Sequence, residues 1–191
     1  FNLNGEVDAV AGTARNVTER KAIEDLNWQS ANYDLLTGLP NRRLLVDRLE
    51  QDIKHAGRIR AEVALLFIDL DHFKAANDSF GHDAGDILLR ISADRIRTCI
   101  READTVARLG GDEFTVIIQG WGGIEHVELV AGKILETIAS PFDISGHIVN
   151  ISSSIGIAIF PNDATTPEQL LKNADEAMYL AKAQGRNKFH F

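Results

Sequence analysis

The sequence predicts an α+β fold, a central and mostly antiparallel sheet flanked by helices. Three observations point there. The run Val63-Ala64-Leu65-Leu66-Phe67-Ile68 is apolar on both faces, which marks a central strand. Two shorter apolar segments flank Gly110-Gly111, the pattern of a hairpin. Long stretches with helical apolar spacing separate these strands. Without the N-terminal tail, the order is α-β-α-β-β-α-β-α-β with a small hairpin inserted, an arrangement of helices on a sheet.

The elements follow in order. Residues 1–16 read as residual strands of an upstream domain, with a hairpin turn at Asn4-Gly5. Residues 17–33 read as a linker helix capped by Thr18. Ile23, Leu26 and Tyr33 lie near heptad spacing, so this segment is either a solvated linker or a signalling helix that pairs with its twin. Residues 34–191 then form the main domain. Leu36-Thr37-Gly38-Leu39-Pro40-Asn41-Arg42 is a turn cluster, followed by a helix to about residue 55. The central strand covers 62–69. A long amphipathic helix covers 83–100, with Ile87, Leu88, Ile91, Ile96 and Cys99 inward. Strands follow at 105–109 and 114–119, and a helix at 124–139. A hairpin turns at Ser145-Gly146, a strand covers 153–160, the last helix 167–184, and a short strand 188–191.

Composition narrows the function. The chain has 191 residues, 45% hydrophobic, enough for one domain with a core and some length over. No apolar run approaches 18 residues, so no direct membrane insertion is expected. It opens at Phe1 without a signal peptide and is expected to be a piece of a longer protein. The lone Cys99 excludes an internal disulfide and fits a reducing, cytoplasmic setting. A net charge of −8 argues against a nucleic acid polymer as partner. A single anionic ligand stays compatible, because a bound cation reverses the field locally.

Chemistry concentrates in a few segments. Asp69 ends the apolar strand, and an ionised carboxylate at the edge of a core is costly unless paired or metal-bound. Asp71 is the better helix cap, ahead of His72-Phe73-Lys74, which leaves Asp69 free to be a ligand. Mg²⁺ prefers few carboxylates plus phosphate oxygens and water, and Asp69, the Leu70 carbonyl and Asp112 supply such a set if their strands are neighbours. Gly110-Gly111 lets backbone approach a ligand closely, and Asp112-Glu113 adds two carboxylates that repel Asp69 unless a cation intervenes. Asn77 can donate and accept at a guanine edge, and Asp86 can accept from N1–H and the 2-amino group. Equally, Asn77 can be a turn former and Asp86 an acid placed near a helix N-terminus. Lys74 can reach phosphate. Lys182 and Arg186, four apart at the end of the last helix, either complement its dipole or clamp phosphates.

These motifs closely resemble the GGDEF domain family, the diguanylate cyclases. The likeness runs from about Asp34 to Phe191, over four-fifths of the chain. It rests on Asp34 through Arg42, Asp69 through Asp86, Arg108 through Phe114, Ser154-Ile155-Gly156-Ile157-Ala158, and Ala174 through Asn187. The resemblance implies a fold like the palm of nucleotidyl cyclases and polymerases, with a ferredoxin-like core. It implies condensation of two GTP to cyclic di-GMP and two pyrophosphates, with two domains facing each other in a homodimer. By the same resemblance, Asp69, Leu70 and Asp112 hold Mg²⁺ (or Mn²⁺), and Asp112, Glu113 and Lys74 serve catalysis. Substrate contacts fall to Phe73, Asn77, His82, Asp86, Gly110, Gly111, Lys182 and Arg186. Arg101 and Asp104 match the family's Arg-x-x-Asp inhibitory site for cyclic di-GMP, or else form a surface ion pair. Where members often supply a further Arg from the next helix, this chain has Gly132-Lys133, which by the resemblance implies feedback inhibition that is weaker or absent.

The context is also suggested by resemblance. Residues 12–21 look like the exit of a PAS sensor domain, and the carboxyl end looks like hybrid proteins in which an EAL phosphodiesterase domain follows. The full-length protein would then be cytoplasmic in this part, whether or not it is membrane-attached elsewhere. Two other functions compete. One is a catalytically silent module that binds GTP or cyclic di-GMP and controls a neighbouring EAL domain. The other is an adenylyl-type relative, which the Asn77/Asp86 pair disfavours.

Overall fold

The computed structural model describes residues 17–191 apart from Trp121. They fall into two units, one ending at Ala31 and the other formed by Asn32–Phe191. The expected strands within 1–16, and the PAS-like exit as far as they carry it, lie outside the described residues. Helix α1 is Val17–Asn32. Thr18 therefore lies inside the first described turn rather than at a cap. Ile23 and Leu26 are exposed on α1, while Tyr33 has left the helix and bridges Pro40, so the supposed heptad loses its third member.

In the second unit the chain runs α2 (Arg42–Ile59), β1 (Val63–Asp71), α3 (Phe73–Phe80), α4 (His82–Cys99), β2 (Thr105–Gly110) and β3 (Glu113–Gln119). It continues with α5 (Ile124–Ala139), β4 (Phe142–Ile144), β5 (His147–Val149), β6 (Ser152–Phe160), α6 (Pro167–Ala183) and β7 (Lys188–His190). Five strands form one sheet in the order β2-β3-β1-β6-β7. All its pairings are antiparallel except β6 with β7, and β4-β5 is a separate hairpin. The expected α+β architecture is what forms, with β1 at the centre of the sheet.

The two faces of the sheet bury two cores. Ala64, Leu66, Ile68 and Leu70 of β1 pack with Leu88, Ala93 and Ile96 of α4 and Val127, Ala131 and Ile134 of α5. Val63, Leu65 and Phe67 pack with Leu45, Leu49 and Ile53 of α2 and Leu170, Ala174 and Met178 of α6. Because strand side chains alternate, Asp69 and Asp71 continue the α2/α6 face. Cys99 is buried on α4, as its apolar spacing suggests. Gly156 lets α6 lie flush on β6, since a Cβ there would stand 1.9 Å from the Ala174 carbonyl oxygen and 2.2 Å from the Met178 nitrogen.

Three boundaries differ from the sequence expectation. Helix α2 is capped by Asn41, whose Oδ1 accepts from the Leu44 N–H, and runs on to Ile59, ending in a left-handed Arg60. A helix of 8 residues that the sequence order did not include, α3, follows His72. Strand β1 extends through Asp71, so Asp71 is not a helix cap; His72 holds that position, in a left-handed conformation. Asp71 can stay in the strand at 2% exposure because the Ser152 and Ser154 hydroxyls donate to it at 2.7 and 2.8 Å.

Candidate active site

The site is assembled by the β1/β3 register. Asp69 stands opposite Glu113, and the Leu70 N–H donates to the Asp112 carbonyl at 3.3 Å. The strand-end carboxylate and the turn carboxylates, 43 positions apart for Asp69 and Asp112, are thereby neighbours. Burial pushes the Asp69 carboxyl up to about 6. Lys182 opposes that shift, with Nζ 2.8 Å from Asp69 Oδ2, while the nearby charges of Asp112 and Asp71 add to it. Burial also raises the Glu113 carboxyl, with Asp175 and Asp112 adding repulsion and Arg42 and Lys182 opposing it.

Such a donor set fits a hard divalent cation. Among the described residues no group of three or more His, Cys, Asp or Glu side chains forms a ready-made metal cage. Two carboxylates and a carbonyl held apart from such a cage suit Mg²⁺, which keeps waters and shares phosphate oxygens. Acids crowd around Asp69 and Lys182 opposes their repulsion, so a cation there would be favoured.

The Gly-Gly turn is held from outside by Arg108. Its Nε and one terminal nitrogen donate to the Gly111 carbonyl at 3.1 and 2.7 Å, and the other terminal nitrogen reaches both Asp34 oxygens at 3.0 Å. Asp34 in turn accepts from the Thr37 N–H and hydroxyl, which folds the 34–40 turn. Gly111 takes a left-handed φ of 51°, which glycine adopts at least cost, and the strand register shifts between Arg108 and Gly110. Sequence reasoning took Arg108 only as the edge of a motif. A buried-side Asp and an Arg 74 residues apart, each beside a turn signal, were the available but weak clue.

The phosphate-side cations are placed differently from expectation. Helix α6 ends at Ala183, so Arg186 does not share its face with Lys182; it lies beyond the end with φ 62°. Its Nε sits 3.7 Å from Asp71 Oδ1, and the Asn187 N–H also donates to Asp71 at 3.3 Å. Asp71 thus ties the loop after α6 to the end of β1, a role that sequence reasoning missed. Lys182 and Arg186 consequently face the two strand-end aspartates, one each.

On the other side of β1, α3 and α4 carry the residues expected at the base. Lys74, His82 and Asp86 are exposed, and Asn77 is half-buried with an Oδ1 that has no hydrogen-bond partner. Phe73 is 9% exposed and packed into the α4/α5 core, so its side chain supports the site from beneath instead of standing in it.

Arg101 and Asp104 come together on the loop before β2, but not as an ion pair. Asp104 is 9% exposed, and its oxygens accept from the Arg101 N–H at 3.0 Å and the Gln119 N–H at 3.4 Å. Arg101 is exposed and lines two clefts of about 350 and 340 Å³. Arg48 and Arg97 line the first, Asp52 and His55 the second. Lys133 does not stand in for the absent Arg there, because its Nζ donates to the Thr98 carbonyl at 3.0 Å.

Fold and site together define a nucleotidyl-cyclase palm, with carboxylates grouped where a central strand meets a glycine turn. The family model for the diguanylate cyclase GGDEF domain matches residues 31–188, and the chain belongs to that family. It is 52% identical over 163 residues to the bifunctional diguanylate cyclase/cyclic di-GMP phosphodiesterase MucR of Pseudomonas aeruginosa, covering 85% of this chain and 24% of MucR. To the diguanylate cyclase TpbB of the same species it is 45% identical over 157 residues, covering 82% of this chain and 36% of TpbB. The chain thus spans only a quarter to about a third of these relatives. The solved GGDEF domain of TpbB superposes with a TM-score of 0.79 at 44% identity, over 81% of this chain and 91% of that one. The coiled coil and GGDEF domain of DgcB from Caulobacter crescentus, solved with cyclic di-GMP, gives 0.82 at 27% identity, over 91% and 92%.

Proposed function

We propose that the domain, residues 34–191, condenses two GTP molecules into cyclic di-GMP and two pyrophosphates. The observation that carries this is the register that sets Asp69 opposite Glu113 with Leu70 bonded to Asp112. Asp69, the Leu70 carbonyl and Asp112 would hold Mg²⁺ or Mn²⁺. When bound, the ion would polarise phosphate oxygens and lower the pKa of an attacking hydroxyl. Lys74, Lys182 and Arg186 would bind the triphosphate, and the Gly110-Gly111 backbone would lie against it. Asn77, His82 and Asp86 would face the base. Asp112 and Glu113 would accept and hold the proton of the 3′-hydroxyl as it attacks the α-phosphorus of the facing nucleotide, and the β,γ-pyrophosphate leaves. One domain holds one GTP, so turnover would need a homodimer.

Residues 17–33 would link this domain to an upstream PAS-like sensor, and an EAL domain would follow. No described helix is long and apolar enough to cross a membrane. Product inhibition would act at Arg101, a residue that lines both clefts, although the Asp104 oxygens are already engaged by backbone. Incubating the chain with GTP and Mg²⁺ tests the reading: cyclic di-GMP and pyrophosphate in a 1:2 ratio support it. Tight GTP binding without product favours the silent regulatory module instead. One finding favours that alternative: a relative 40% identical over 164 residues is named for phosphodiesterase activity, cyclic di-GMP phosphodiesterase NbdA.

A further inference from the structure

Gly85 is an unfavourable residue for its place. It is buried in the first turns of α4, where alanine is the better helix former. A Cβ on Gly85 would lie 1.8 Å from Asn77 Oδ1, 2.8 Å from its Cγ and 3.3 Å from its Nδ2. The three nearest heavy atoms all belong to one side chain, so the space a residue would use at position 85 is filled by the Asn77 carboxamide. Asn77 Oδ1 is buried and accepts no hydrogen bond. Facing a glycine Cα–H is a contact that a carboxamide oxygen tolerates, whereas an NH₂ group there would waste two donors. With Oδ1 turned onto α4, Nδ2 is the end left for a ligand. The exposed Asp86 carboxylate follows one residue after Gly85.

We infer that Gly85 is a positioning residue for base recognition. Its missing side chain lets the Asn77 carboxamide lie on the backbone of α4, presenting Nδ2 as a donor to an acceptor on the guanine edge beside the accepting Asp86. The inference rests on the GTP reading above and adds to it the element that orients the amide. The direction of readout follows: Asn77 donates and Asp86 accepts, an arrangement matched by guanine and mismatched by adenine, whose exocyclic amine would face Nδ2.

The test uses the whole chain with Mg²⁺ and non-hydrolysable analogues of GTP and ATP, titrated by calorimetry into the wild type, Gly85→Ala, Asn77→Ala and the double variant. Each single variant should weaken the GTP analogue about tenfold, the loss expected for one hydrogen bond, and leave the ATP analogue unchanged. The double variant should bind no more weakly than Asn77→Ala alone, because the alanine at 85 acts only by displacing Asn77. Gly85→Ala binding the GTP analogue like wild type, or losses that multiply in the double variant, would overturn the inference. Gly85→Ala should also melt no lower than wild type. Should it melt lower, Asn77→Ala relieves the same contact, and equal GTP affinity of Asn77→Ala and the double variant supports the inference while a difference refutes it. A wild-type chain that fails to bind the GTP analogue would instead indict the functional reading.

Discussion

Asp69 is held against its own ionisation. Its carboxyl, pushed up to about 6 by burial, binds a proton more tightly in the folded chain than its ordinary value of 3.8 allows in the unfolded one. Its contribution to stability is therefore complete below about 3.8 and is lost as pH rises through about 6. The metal-free domain should lose melting temperature between pH 5 and 7.5 by more than an Asp69→Asn variant does, as differential scanning calorimetry would show. Added Mg²⁺ should restore the wild type at pH 7.5 and do little at pH 5, since protons then compete for the site. Parallel melting curves for the two proteins would remove the burial argument. Asp112→Ala should abolish turnover while circular dichroism and melting stay close to wild type, because Asp112 is half-exposed and lies in a turn. At this scale, the sequence identified residues better than it identified their partners. Asp69, Asp112, Glu113 and Lys182 do converge, since strand ends and a glycine turn are readable from local pattern. Asp71 could not be placed correctly, because its partners Ser152, Ser154 and Asn187 lie 81 or more residues away and only the β1/β6 register brings them near.

The elements act as rails for these side chains. Arg108 braces the β2–β3 turn against Asp34, so the turn is fixed at its carbonyl and not merely allowed by its glycines. Arg108→Ala should leave the strands intact but lower kcat by one to two orders of magnitude with a smaller change in KM, as loss of positioning does. Steady-state kinetics at saturating Mg²⁺ would check this, and an unchanged kcat would dismiss the brace. The α6–β6 contact depends on Gly156 in a stricter way. Backbone, not a flexible side chain, meets an added Cβ at 1.9 Å, so Gly156→Ala should cost about 2 kcal/mol or more in a denaturant titration. Strand and helix order were legible because hydrophobic period and Gly-Pro punctuation are local signals. The parallel pairing of β7 on β6 and the seat of Arg186 beside Asp71 were not legible, because both depend on the loop that Asp71 captures, whereas the end of α6 fell within one residue of the expected 184.

At the scale of the whole molecule, one domain presents one carboxylate cluster, whereas the proposed reaction joins two nucleotides through two equivalent attacks. On that proposal a single copy would bind one GTP and would have no second 3′-hydroxyl in line with its α-phosphorus. Rate should then follow the concentration of facing pairs. For a chain that is mostly monomeric at micromolar concentration, initial velocity at saturating GTP should rise nearly with the square of protein concentration, and specific activity should climb accordingly. The acidic surface implied by a net charge of −8 opposes approach of two copies, so added salt should raise the specific activity of dilute protein before it weakens triphosphate binding. Analytical ultracentrifugation in parallel with the assay separates the possibilities. Velocity linear in protein with a sedimenting monomer would place both attacks within one copy, which a single site of this geometry cannot perform, and would refute the paired mechanism. A steep rise with protein, in step with the dimer fraction, ties turnover to the meeting of two half-sites. Any upstream element that fixes the two copies together would then switch the enzyme on by raising their effective concentration alone, without reshaping either site.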